Sequence, residues 1–162
     1  MRNLTLGALV WLATGVAAGA ATPDAQLIAP IQKFIESFNK GDMTAAAATH
    51  AATADLAITD EVPPYHWQGT QAFQAWSADL GRDLQKQGLT DAMVTLGTPT
   101  RRETDGDSAY VVVPAVFTFK QRGVAMREAA QMTFALQNGG GGWLIHGWTW
   151  TGPKPRPVKA KP

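Results

Sequence analysis

ITDEVPPYHWQG (residues 58–69) decides how the chain is read. The apolar run Leu56-Ala57-Ile58 has β character and stops at an acid, Asp60. Pro63 and Pro64 then force an extended turn. Three ring side chains follow, Tyr65, His66 and Trp67, before Gly69 opens a helix. A carboxylate at a strand end, walled by rings, is a place where an acid can be desolvated and made basic.

Outward from this corner the chain divides into helices first and strands second. Leu27, Ile31, Phe34, Ile35 and Phe38 fall at helical spacing within residues 23–40. Thr22 is placed to cap that helix, and Gly41 to end it. Pro30 lies inside the pattern and implies either a kink or a later start. Asp42 caps a short alanine-rich helix over about 42–52, and a strand follows over about 54–60. Phe73, Trp76, Leu80 and Leu84 form one stripe of a helix over 69–87, which Gly88 ends. Strands are predicted near 90–104, 108–120, 124–138 and 142–151, joined by short turns, which makes an antiparallel meander. In 108–120 both faces are apolar, so a homodimer through the outer sheet face is expected. On the last strand His146, Trp148 and Trp150 alternate onto one face.

Composition narrows the function classes. Residues 1–21 read as a signal peptide: Arg2, an apolar run over 4–18, and the small-x-small triplet Ala18-Gly19-Ala20. An exported protein, periplasmic or extracellular, is the expectation. Residues 22–151 suit a single domain. Residues 152–162, GPKPRPVKAKP, read as a disordered Pro/Lys tail. The chain has no cysteine, which excludes disulfides, thiolate metal sites and a Cys nucleophile. Of 14 basic residues, Arg2, Lys154, Arg156, Lys159 and Lys161 lie in the leader and tail, leaving nine against 13 acids. A core near −4 does not follow a phosphate backbone, so nucleic-acid binding is rejected. His50, His66 and His146 show no metal-ligand spacing, the glycines 139–142 precede no helix, and G-x-S-x-G is absent. No metal and no cofactor is expected.

The order helix, short helix, strand, helix, β-meander, with FNKGD (38–42), AITD (57–60), WQG (67–69) and GGWLI ending at Ile145, resembles the nuclear transport factor 2-like superfamily. Ketosteroid isomerase and the SnoaL-like polyketide cyclases are members of that superfamily. The resemblance spans about residues 27–151. It implies an α+β cone: a curved, mostly antiparallel sheet wrapped on two long helices and one short one, with an apolar pocket and frequent dimers. It also allows a test against ketosteroid isomerase. That chemistry needs a carboxylate base at the end of the first strand and two oxyanion donors, a tyrosine and a protonated acid. Asp60 matches the base. Phe34 stands in place of the tyrosine, and Met132, beside Gln131, in place of the acid. Both donors are missing, and losing one costs roughly a hundred- to a thousand-fold in rate.

The expected site therefore has Asp60 as base or polar anchor and His66 as its helper. Phe34, Phe38, Tyr65, Trp67, Trp76, Phe117, Met132, Phe134 and Trp148 are the expected pocket residues. The expected function is an exported protein holding a small apolar or amphipathic molecule. The rivals are an Asp60-based isomerase, cyclase or dehydratase that abstracts a proton from carbon, and a non-catalytic dimerisation module with a filled pocket.

Overall fold

The computed structural model describes residues 22–159, so the leader lies outside the described residues. Helix α1 (Pro23–Asn39) starts at its proline, with the Thr22 hydroxyl accepting the Ala25 amide N–H at 3.3 Å. It runs through Pro30, which settles the choice posed by that residue: one helix begins at Pro23. Its apolar stripe, Leu27, Ile31, Phe34 and Ile35, is buried. Asp42 caps α2 (Met43–Ala47), its carboxylate accepting the Ala45 N–H at 2.9 Å. Helix α3 (Ala72–Gln87) buries Phe73, Trp76 and Leu80 and ends on Gly88, whose φ of 67° closes the helix in the left-handed region.

The strands are β1 (Ala57–Thr59), β2 (His66–Gln68), β3 (Leu89–Leu96), β4 (Arg101–Asp105), β5 (Ser108–Gln121), β6 (Val124–Asn138), β7 (Trp143–Thr151) and β8 (Arg156–Pro157). They form one sheet in the order β2-β1-β7-β6-β5-β3, with β4 added to β5 and β8 to β6. The architecture is the expected α+β cone, a curved mixed sheet that does not close on itself. All pairings are antiparallel except β1 with β7. The expected strand over 90–104 is two strands, because Gly97 turns the chain against Pro114.

Register decides which side chains face the helices. Val111, Val113, Ala115, Phe117 and Phe119 of β5 lie opposite Phe134, Met132, Ala130, Glu128 and Met126 of β6. Directly opposed residues share a face of the sheet. Across β7, Met132 meets Trp150 and Phe134 meets Trp148. These residues form the concave face, and its inner part packs on Ile31, Phe34, Phe73 and Trp76 as the core. The Asn39 side chain locks α1 to β3, donating to the Val94 carbonyl and accepting from its N–H, both at 2.8 Å.

Two local features correct the sequence reading. The β6–β7 register shifts where Ala135 pairs Gly147 but Leu136 pairs Ile145, so His146 is the extra residue of a bulge. The shift removes His146 from the face of Trp148 and Trp150 and sets its Nδ1 3.6 Å from the Asp55 carboxylate. The tail is also not a free segment over residues 152–159. After Gly152 the chain returns to β6, where Met126 pairs Pro157 and Arg127 pairs Arg156. β7 pairs β6 only from Gln131 onward, so the stretch of β6 that it leaves unpaired is available to the returning chain.

Candidate functional site

A cavity of about 370 Å³ lies between the helices and the outer half of the concave face. Phe34 and Phe38 of α1, Trp76, Leu80 and Leu84 of α3, and Phe117, Met132, Trp148 and Trp150 of the sheet make most of its wall. The rim carries exposed Glu61, Gln87 and Lys154. This size falls in the range of small-molecule sites, roughly 300–1,000 Å³.

Asp60 projects into the cavity from the end of β1. Its Oδ2 accepts the Trp76 indole N–H at 2.7 Å and its Oδ1 accepts the Glu61 amide N–H at 2.7 Å. The turn behind it is fixed by the Asp60 N–H to the Tyr65 carbonyl (3.2 Å) and the Tyr65 N–H to the Val62 carbonyl (2.8 Å). Burial raises the Asp60 pKa above the usual carboxylate range. The two donors oppose that rise, and the Asp83 charge adds to it. Desolvation dominates, so Asp60 is more basic than a free aspartate.

Three further acids surround it. Asp83 of α3 lines the same cavity and accepts a hydrogen bond from the Gln87 amide. Glu128 lies on the concave face between Met126 and Met132 and is only 1% exposed. Its Oε1 accepts the Trp150 indole N–H at 2.9 Å, and its Oε2 has no hydrogen-bond partner. The Glu61 carboxyl faces Glu128. Desolvation first, then repulsion and hydrogen bonding from Glu128, and then the charges of Asp60 and Asp83, push the Glu61 pKa up to about 8. Glu61 is exposed as a residue, but its acid end turns toward this cluster.

The returning tail completes this corner. Gly152 crosses directly over Glu128, and a Cβ there would stand 1.9 Å from Oε1. Lys154 and Pro155 beyond it line the cavity.

On the other side of Trp148 is a buried histidine. His50, 6% exposed, sits with its Nδ1 3.0 Å from the Ala46 carbonyl, and its Nε2 accepts the Trp148 indole N–H at 3.1 Å. That pattern requires the neutral tautomer protonated on Nδ1. Desolvation lowers its pKa to about 4, against the opposing hydrogen bond to Ala46.

Of the residues singled out from sequence, Asp60, Phe34, Phe38, Trp76, Phe117, Met132 and Trp148 line one cavity. Four do not. Tyr65 has a φ of 76° at the end of the proline turn and points its ring outward, 57% exposed. His66 lies exposed on β2, its Nδ1 3.4 Å from the Thr59 hydroxyl, so Asp60 is oriented by Trp76 instead. Trp67 is buried behind α3, its indole N–H donating to Asp79 at 2.8 Å. Phe134 is enclosed in the core between Val111 and Trp148. Glu61, Glu128 and Lys154 were not singled out. Among the described residues no group of three or more His, Cys, Asp or Glu is arranged to hold a metal ion.

No protein-family model matches the chain, and no curated protein matches it in sequence. Solved structures do match it in shape. A nuclear transport factor 2-like superfamily protein from Salmonella enterica serovar Typhimurium aligns with a TM-score of 0.66 at 19% identity, over 83% of this chain and 94% of that one. A ketosteroid isomerase-like protein from Erwinia carotovora aligns at 0.61 and 21% identity, over 81% and 96%. A type 2 hexachlorocyclohexane dehydrochlorinase aligns at 0.65 and 14% identity, over 82% and 89%. At these identities the likeness is one of fold.

Proposed function

We propose that this chain, whose fold is that of the nuclear transport factor 2-like superfamily, holds a small apolar or amphipathic ligand in its aromatic cavity, with Asp60 as a polar anchor. One observation carries the reading: a chamber of about 370 Å³ walled by rings, with a half-buried carboxylate held on its wall by two donors. A dimerisation module with a filled pocket would leave no such space. Export through the N-terminal leader and a homodimer through the convex face of β5 and β6 are parts of the same proposal. On that face Val112 is buried, Pro114 and Val116 are half-buried, and Tyr110 is exposed beneath Arg101. Native mass spectrometry of the protein from its own source tests all three. The expected spectrum shows a dimer of chains lacking about 20 N-terminal residues, with a co-purified small molecule. An unprocessed, monomeric, ligand-free chain would contradict it.

A second reading has a specific observation behind it. Burial makes Asp60 more basic, while Glu61 beside it keeps its proton to higher pH, and a base next to an acid suits proton transfer at carbon. Against it, the indole N–H groups of Trp76, Trp148 and Trp150 are already committed to Asp60, His50 and Glu128. Phe34 and Met132 offer no donor in their place. Asp60→Asn separates the readings. An asparagine cannot accept from both the Trp76 and Glu61 N–H groups without turning its own NH₂ toward one of them. The expected loss of stability is about 1–3 kcal/mol, measured by urea denaturation, with ligand affinity weakened as the anchoring carboxylate is lost. A catalytic Asp60 would instead show turnover abolished and binding kept.

A further inference from the structure

We propose that the groove between β6 and the returning tail is a phosphate-binding site, in which the guanidinium groups of Arg127 and Arg156 clamp the doubly charged end of a phosphate monoester.

The central observation is the register of β8. Arg156 is the direct partner of Arg127 across the antiparallel pair, so the two side chains rise from the same face of the sheet. Opposed residues hold their Cβ atoms roughly 4.5–5.5 Å apart, and like charges placed so repel. The backbone holds them there all the same. Pro157, which has no N–H to give, stands opposite Met126, and Val158 donates its N–H to the Ala125 carbonyl at 2.9 Å. Both arginines are exposed, and among the described residues neither has an acid within ion-pair distance. Lys120 shows the contrast. It stands on the same face, opposite Ala125, and its ammonium meets the Asp91 carboxylate at 2.8 Å.

The surroundings carry the same sign of charge. The groove encloses about 480 Å³, and Lys154 and Lys159 line it with the two arginines. Glu128 is the one acid among its lining residues. It alternates to the opposite face of β6 from Arg127, where Trp150 takes one of its oxygens and Gly152 covers it. Residues 152–162 contain no acid.

Two opposed guanidinium groups select the class of anion. A phosphate monoester carries nearly two charges at neutral pH and three acceptor oxygens. It can serve two guanidinium forks at once, whereas a carboxylate, with one charge and two oxygens, matches one. Bound there, it removes the repulsion across the strand pair and ties β8 to β6. Lys154 and Pro155, which precede β8 and line the aromatic cavity, are then held in place.

Proton–nitrogen NMR of the arginine side chains tests the site, with inorganic phosphate as the probe and chloride at matched ionic strength as the control. Phosphate is expected to shift the Arg127 and Arg156 Nε–H signals together to saturation, while chloride leaves them in place. Arg156→Gln should weaken phosphate binding at least about tenfold, as for the loss of hydrogen bonds between charged groups. Arg156→Lys, which keeps the charge and loses the fork, should weaken it less. Without phosphate, Arg156→Gln should melt at a higher temperature than the unsubstituted chain, because the like-charge contact is gone, and phosphate should raise that temperature no further. Equal shifts in phosphate and chloride, or a phosphate affinity unchanged in Arg156→Gln, overturns the proposal. Capture of the protein by phosphatidylglycerol vesicles, with the arginine signals unmoved by inorganic phosphate, overturns it too and assigns these bases to a lipid surface.

Discussion

Phe34→Ala is expected to lower the unfolding free energy by about 3–5 kcal/mol, the largest single-residue loss in the domain. Phe34 is 2% exposed and is the hub of the aromatic core. Its ring lies 4.8 Å from His50, 6.0 Å from both Phe73 and Trp76, and 5.6 Å from Trp148. Truncation removes the packing between α1, α3 and β7 at once and merges the space with the existing cavity. Urea denaturation monitored by tryptophan fluorescence reads the change. Phe34→Leu, which keeps most of the volume, should lose less. A loss below about 1 kcal/mol for the alanine variant would mean that the ring does not hold the helices to the sheet.

The second large effect is on acid stability. His50 is neutral in the fold, with its pKa lowered from 6.5 to about 4, so the unfolded chain binds a proton there first. Its contribution is intact above pH 6.5 and is lost as pH falls toward 4, by about 3 kcal/mol in all. Glu61 acts in the opposite direction. Its pKa is raised from 4.5 to about 8, so its contribution is intact below pH 4.5 and is lost as pH rises through 8. Stability is therefore expected to decline toward both ends of pH 4–8. Thermal unfolding of two variants separates the causes. His50→Gln keeps an acceptor for Trp148 and a donor for Ala46 but does not titrate, so it should flatten the acid limb. Glu61→Gln should flatten the alkaline limb and leave the acid one. An acid limb identical in His50→Gln would show that the buried ring is not its source.

Much of the fold was legible because its signals are periodic. The stripe Leu27, Ile31, Phe34 and Ile35 and the stripe Phe73, Trp76 and Leu80 each predicted a helix that buries those residues. The alternation of 108–120 and 124–138 predicted two long strands whose apolar sides share the concave face. What was not legible depends on register and on returning chain. One inserted residue, His146, reverses the side on which it points, and alternation alone cannot reveal a bulge. The tail composition spoke for solvent, yet an unpaired stretch of β6 and the missing side chain of Gly152 bring it back over Glu128.

The site was half legible. Asp60, five of the expected rings and Met132 do meet around one cavity, because the strand end and the two helix stripes all point inward. Tyr65, His66 and Trp67 are adjacent in sequence, but the positive φ at Tyr65 and the alternation along β2 send them elsewhere. Glu128 carried a readable signal that was passed over. It has the parity of Met126, Met132 and Phe134, so it is an acid in phase with the apolar side of a central strand. Such a residue is seldom buried without a partner, and here Trp150 holds one of its oxygens.

The indole N–H groups offer the most direct test of the cavity as a binding site. Trp76, Trp148 and Trp150 line it, whereas Trp67 donates to Asp79 outside it. In a proton–nitrogen NMR titration with tryptophol, the Trp76 and Trp150 indole signals are expected to shift together and saturate while that of Trp67 stays still. Signals that do not move, or a Trp67 signal that moves as far as the others, would contradict a ligand held between Asp60 and Trp150.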